Sequence, residues 1–225
     1  MGNRVSPFVK KTMTARTSIS VSVRRHFIDN FFFSKSNLYS GQIIDIGGKK
    51  KNKRGLFDIS KFGTEVTYVN IDGSTEPDII ADASSIPLPD ETFDLAIIAE
   101  LLEHVPDPVA VLREAHRLIK PGGKILVTIP FMVGIHGDPQ DFARYTPTFL
   151  EKASREAGFN GVEIETHGTI FAVAALMIQH IFLAHKKSWR PIQGLVIKIL
   201  MWLDQRTTSK LLTAWTTGYG IVLEK

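Results

Sequence analysis

Apolar residues fall on consecutive positions in several short runs of this chain. Ile43, Ile44 and Ile46 form the first, interrupted by Asp45 and stopped by Gly47-Gly48. Unbroken runs predict strands buried on both faces, as in a parallel sheet. VTYVNID (Val66–Asp72), DIIA (Asp78–Ala81), FDLAIIA (Phe93–Ala99) and KILVTI (Lys124–Ile129) follow, and Val162–Thr166 and Gly220–Leu223 read as two more strands. Helical spacing appears between them. After Pro106–Pro108, VAVLREAHRLI turns Val109, Leu112, Ala115 and Ile119 to one face. Lys120-Pro121-Gly122-Gly123 predicts the turn that ends this helix. Thr146-Pro147 opens another, with Thr as cap and Pro in the first position, ending near Gly158. Ser18–Phe33 predicts a helix in its second half, packing a Phe face on the domain edge. Leu56–Phe62 predicts a short helix or turn.

Alternating strands and helices predict a doubly wound α/β sheet. Ligands of such sheets sit outside the carboxyl ends of the strands. Asp45, Asp72, Asp82, Glu100 and His136 all fall on that edge. Gly47 and Gly48 allow a sharp turn and close approach of backbone to ligand. A carboxylate after the second strand, Asp72, suits the ribose hydroxyls of a nucleotide-type cofactor. Asp82 with the small Ala83 suits an adenine amino group and ring.

Composition adds boundaries. A length of 225 residues predicts one domain with an elaboration. The absence of Cys excludes disulfides, thiolate nucleophiles and Cys-ligated zinc. The net charge of +4 hides an asymmetry: residues 1–54 hold 12 Lys/Arg against 2 Asp/Glu, residues 55–185 hold 8 against 19, and residues 186–225 hold 7 against 2. Basic ends attract polyanions or anionic lipid, or are solvated charge. The expected organisation is a basic arm and helix at 1–40, a core at 41–169, a helical insert at 170–210 and the last strand at 211–225. The insert's two apolar stretches are each too short for a confident span of about 20 residues. They predict a lid, a homodimer interface, or helices lying on a membrane surface through residues 170–203, where Lys, Arg and Trp would meet headgroups. The N-terminus lacks the continuous apolar core of a secretory signal. The expected location is cytoplasmic, or peripheral to a membrane.

The order DIGG, NID, ADASSIPLPDETFDLAIIAELLEHVPDP and LIKPGGKILVTIP resembles class I S-adenosylmethionine-dependent methyltransferases of the type-11 group, over about Gln42–Gly158. IHGDPQDFARYTP further resembles a bacterial subgroup linked to glycan or cell-envelope functions. The resemblance implies a Rossmann-like sheet of seven strands, mostly parallel with an antiparallel last strand. It also implies S-adenosyl-L-methionine as cofactor. Asp45, Gly47 and Gly48 would line its methionine end, Asp72 its ribose, Asp82 and Ala83 its adenine, and Glu100 and Leu101 its methionine and sulfonium. Lys49 and Lys51 depart from the family's Gly-rich first motif.

Methyl transfer from a sulfonium needs alignment, exclusion of water and deprotonation of an oxygen or nitrogen acceptor. His136 and His104 are the candidate bases, with a structural role the alternative for each. Asp138, Asp141 and Arg144 are expected to include one structural ion pair. Glu100, Glu103 and His104, with His136, also resemble the cation site of small-RNA 2′-O-methyltransferases and of some ubiquinone-pathway O-methyltransferases. The leading expectation is O-methylation of a small or glycan-linked hydroxylated acceptor. One alternative is an RNA methyltransferase, a less favoured nucleic-acid partner for the Lys49–Arg54 run. Another is a non-catalytic membrane-surface protein that kept the fold.

Overall fold

A computed structural model describes residues 22–51, 55–62, 65–183 and 190–225. The basic arm before residue 22, Lys53 and Arg54 of the cationic run, and Lys186 and Lys187 of the insert lie outside them. Capping side chains set the helix starts. Ser22 accepts from the Arg25 amide to open α1 (Val23–Ser34). Asp107 caps α2 (Pro108–Leu118) by accepting from the Ala110 amide, and Thr146 caps α3 (Pro147–Glu156) from the Phe149 amide. Pro follows the cap in both of the latter, where its missing N–H costs nothing.

The strands are β1 (Gln42–Ile46), β2 (Glu65–Asn70), β3 (Ile79–Ile80), β4 (Phe93–Ala99), β5 (Ile119–Pro130), β6 (Gly161–Thr166) and β7 (Gly218–Glu224). They form one sheet in the order β3-β2-β1-β4-β5-β7-β6. β1, β2, β3, β4 and β5 are parallel, and β7 runs antiparallel to both β5 and β6. This is the seven-stranded architecture expected from the family resemblance.

One face of the sheet carries α2 and α3 on an aliphatic core that includes Ile98, Leu112, Ala115 and Val127. The other face departs from expectation. Ile28, Phe31 and Phe32 of α1 pack among Ile43, Leu95, Ile97 and Leu126, so α1 is a core helix rather than an edge element. Phe57, Ile59 and Tyr39 complete this layer, with the Phe32 and Phe57 rings stacked at 4.9 Å. Between β1 and β2 the described residues form only a short 3₁₀ turn at Ile59–Phe62. The aromatic layer covers the sheet where a crossover helix would otherwise lie.

A second departure is at Lys120–Gly123. The expected turn lies inside β5 and forms a bulge against β4. Ile119 pairs with Phe93 and Lys124 with Leu95, so two steps on β4 match five on β5. Gly122 adopts φ +76° there, and Lys120 reaches Asp94 at 2.9 Å. Ile119, expected on the helix face, therefore begins the strand.

The insert folds as α4 (Ile170–Leu183), α5 (Arg190–Asp204) and a single turn, α6 (Lys210–Thr213). Ala172, Ala175 and Leu176 of α4 bury against Ile197 and Met201 of α5 and Val23 of α1. Among the described residues no helix is long and apolar enough to cross a membrane.

Candidate functional site

The carboxyl ends of β1, β2 and β3 bring the predicted cofactor residues to one edge. Gly47 has φ +81°, a backbone conformation that strains any side chain. A Cβ there would lie 2.9 Å from Leu101, and one on Gly48 would collide with the Asp45 carboxylate. The turn is therefore as tight as its two glycines allow. Asn70 pins it from β2, donating Nδ2 to the carbonyls of Gly47 at 2.9 Å and Gly48 at 3.1 Å. Sequence reasoning missed Asn70, although it stands inside the NID motif.

Asp72 accepts through Oδ1 from the Ser74 amide at 2.9 Å. Hydrogen bonding to Ser74 holds its exposed carboxyl below the usual range. Asp82 is set the same way: its Oδ1 accepts from the Ser84 amide at 2.8 Å and hydroxyl at 2.6 Å, which lowers its pKa. Ala83 packs against the aliphatic core. Both carboxylates thus stand ionised at the strand ends, each braced through Oδ1. Acceptors for ribose hydroxyls and an adenine amino group fit that arrangement.

The described part of the cationic run after Gly48, Lys49 to Lys51, pairs internally. Lys49 meets Asp138 at 3.5 Å, Lys50 meets Asp78 at 2.5 Å and Lys51 meets Glu76 at 2.5 Å. The described lysines of this run thus brace the loop against the molecule's own acids.

Glu100 follows β4 in the left-handed region at φ +50°. Its carboxylate, expected beside the methionine and sulfonium and in the cation set, is held by Arg24 of α1. Nε donates to Oε2 at 3.0 Å and Nη2 to Oε1 at 2.6 Å, a bidentate pair. Arg24 is buried and its Nη1 lies 2.7 Å from His167 Nδ1. A guanidinium only donates, so Nδ1 accepts and Nε2 carries the ring hydrogen. Burial, with the Arg24 charge second, pushes His167 down to about 2. Neither Arg24 nor His167 carried a sequence signal, because they reach Glu100 and Arg24 from 76 and 143 residues away.

On the other side of Leu101, Glu103 is fully buried. Neither of its carboxylate oxygens has a hydrogen-bond partner among the described residues. Burial, and next the Glu100 charge, raise it to about 8, so it is mostly protonated near neutrality. His104 Nδ1 lies 2.5 Å from the Gln140 carbonyl. A carbonyl only accepts, so Nδ1 carries the hydrogen and Nε2 is left basic, 3.6 Å from Glu103 Oε1. His136 meets the His104 ring edge-on at 5.2 Å. Its Nδ1 donates to the Gly134 carbonyl at 3.0 Å, which leaves its Nε2 as an acceptor too.

Asp141 and Arg144 form the expected structural ion pair. Arg144 drives the Asp141 carboxyl well below its usual range, and Asp141 accepts from the His136 amide at 2.8 Å. The Phe142 amide donates to the Glu103 carbonyl at 2.8 Å, tying this loop to the 3₁₀ turn (Leu102–His104) after β4. Glu103, His104 and His136 each place one ligand atom within 4.8 Å of the others. Three of the four groups expected around a cation therefore converge, and Glu100 does not join them.

Comparison with known proteins supports the fold and the family resemblance. Residues 53–127 match a family described as a methyltransferase domain. A demethylmenaquinone methyltransferase of Geobacillus sp. (strain WCH70) is 33% identical over 172 residues, covering 63% of this chain and 65% of that protein. The chain thus spans just under two thirds of that relative's length. A ubiquinone biosynthesis O-methyltransferase of Colwellia psychrerythraea is 35% identical over 112 residues, 41% of this chain and 43% of that one. Among solved structures, a SAM-dependent methyltransferase from Archaeoglobus fulgidus superposes with a TM-score of 0.58 at 18% identity, covering 89% of this chain and 94% of that one. That likeness concerns the fold.

Proposed function

We propose that this chain, whose residues 53–127 match a methyltransferase domain, is an S-adenosylmethionine-dependent O-methyltransferase acting on a small hydroxylated acceptor. The observation that carries this reading is the pair of basic imidazole nitrogens, His104 Nε2 and His136 Nε2, beside the edge where Asp72 and Asp82 stand ionised. A relative named as a ubiquinone biosynthesis O-methyltransferase supports transfer to an oxygen acceptor. The internal pairing of Lys49, Lys50 and Lys51 weighs against RNA.

When bound, S-adenosylmethionine supplies a methyl group on a sulfonium that leaves as a neutral thioether. The chain's residues do the rest. Asp72 and Asp82 accept hydrogen bonds from hydroxyls and an amino group. The Gly47–Gly48 turn and Leu101 form the wall beside the reacting centre. His136 Nε2 takes the proton of the acceptor hydroxyl as its oxygen attacks in line. Asp141, 3.8 Å from His136 Nδ1, favours the imidazolium that forms.

A second reading has its own support. A buried carboxyl without a hydrogen-bond donor is stable when protonated or when a cation faces it. Glu103, His104 and His136 offer the oxygen and imidazole donors that suit a divalent transition metal. A cation there would make the acceptor hydroxyl more acidic, and His104 donating to the Gln140 carbonyl is oriented as metal-bound imidazoles are.

Calorimetry with S-adenosylmethionine tests the first reading. Binding by the intact chain, weakened about tenfold in Asp72→Ala, is the expected result. No binding would leave a fold without the activity. Turnover of labelled cofactor against panels of phenolic and sugar hydroxyls then identifies the acceptor. Activity unchanged by exhaustive chelation would dispose of the cation.

A further inference from the structure

We propose that the exposed face of the α4–α5 pair docks this protein on an anionic lipid surface. A helix that only packs on its own domain needs one apolar face, and α5 has two. Ile197 and Met201 bury against α4. On the opposite side Ile192, Leu195, Ile199 and Trp202 recur at steps of three and four residues, each half exposed or more. Met177 and Ile181 of α4 are also more than half exposed.

Charge selects the occupant. Residues 170–215 contain a single acid, Asp204. It is buried and accepts from the amide and hydroxyl of Thr169, both at 2.7 Å. The described charges left at this surface are cations: Lys198, Arg206 and Lys210, all exposed. The Arg206 guanidinium carbon lies 4.0 Å from the centroid of the Trp202 ring, which places a cation against the apolar stripe itself. Lys and Arg beside Trp form the side-chain set of a bilayer interface. A second copy would bring cation against cation across a twofold interface. An anionic lipid surface meets the same face with opposite charge and an apolar interior.

The face is coupled to the acceptor loop. Val133 packs on the α4–α5 core. Two residues on, Ile135 is 93% exposed, and His136 follows it. Docking would bring this loop to the lipid boundary, so the acceptor would be a hydroxylated molecule that partitions into lipid; that last step rests on the O-methyltransferase reading.

Co-sedimentation of the full chain with vesicles tests the docking. Vesicles containing phosphatidylglycerol should pellet the protein at low salt, less at high salt, and phosphatidylcholine vesicles should pellet much less. Trp emission should shift to the blue on binding. Leu195→Glu with Ile199→Glu should reduce the bound fraction tenfold or more, and replacing Lys198, Arg206 or Lys210 with Gln should lower partition about fivefold per cation. Retained S-adenosylmethionine binding in solution shows that these surface variants fold. No pelleting at either salt, or pelleting indifferent to the Glu variants, overturns the proposal. So does a salt-insensitive dimer in sedimentation velocity that the Glu variants dissociate. Vesicle binding without S-adenosylmethionine binding would instead overturn the enzymatic reading and leave the docking standing.

Discussion

Asp72 and Asp82, at the ends of parallel strands, and His104 and His136, at the loop that follows β5, are positioned by different kinds of contact. The two acids are braced by Ser74 and Ser84, each two residues away, at the ends of strands. The two histidines are oriented by carbonyls of a loop between β5 and α3, and Gln140 lies 36 residues from His104. Locally braced groups survive changes elsewhere in the molecule. His136 is held within this loop by Gly134, two residues away, and His104 reaches it across 36, so both depend on the whole loop, its Asp141–Arg144 pair and its tie from Phe142 to Glu103.

The sharpest way to break the comparison is His136→Ala. Turnover should fall about 10²–10⁴-fold with cofactor affinity unchanged, measured by steady-state kinetics beside calorimetry. Full activity with the true acceptor would give His136 a purely structural role. The Arg24–Glu100 pair links α1 to the residue that follows β4. Arg24→Ala leaves a mostly buried carboxylate without its partner and should cost about 3–5 kcal/mol of stability, read by denaturant unfolding. A loss below about 1 kcal/mol would mean that water replaces the guanidinium.

His167 gives a pH signature. Its folded pKa of about 2 lies below the ordinary 6.5, so the unfolded chain takes up the proton first as pH falls. Its contribution is complete above pH 6.5 and is lost as pH drops toward about 2. Between pH 7 and pH 5 this one group should remove about 2 kcal/mol. His167→Asn should flatten that part of the profile while still accepting from Arg24. The smallest effect is expected at a local brace: Asp107→Ala removes the cap of α2 and should cost about 1 kcal/mol, with no change in cofactor affinity.

The same division decides what the sequence makes legible. β4 spans Phe93–Ala99 as its apolar run predicts, and the cap of α3 is read directly from Thr146, whereas Asp107, inside the Pro106–Pro108 start of α2, shows its capping role only in the structure. Strand ends carry Asp72 and Asp82 to one edge because buried parallel strands leave them nowhere else to emerge. Lys120–Gly123 reads as a turn because Pro and Gly punctuate chains locally. It becomes a bulge because Lys120 and Gly123 both meet Asp94 on the neighbouring strand. Arg24 lies in the Ser18–Phe33 segment and acquires its role only when the chain folds to bring Glu100, 76 positions on, beside it. Glu103 reads as one acid in a helical turn; only its burial removes its charge.

Residue positions in α1 and β7 bear on the order in which this chain is made. A Cβ on Gly218 would strike the Arg24 guanidinium at 2.6 Å, and one on Gly220 would strike the Phe31 ring. The first described helix therefore rests on the last strand. α1 is made before every strand of the sheet, and the surface it covers is incomplete until β7 leaves the ribosome. Its Phe side chains must wait while the 183 residues between Ser34 and Gly218 are made, exposed to holdase chaperones and proteases. A stalled or truncated product ending before residue 218 would present that aromatic face, and such a fragment is expected to be cleared or to aggregate rather than to persist as a partial enzyme.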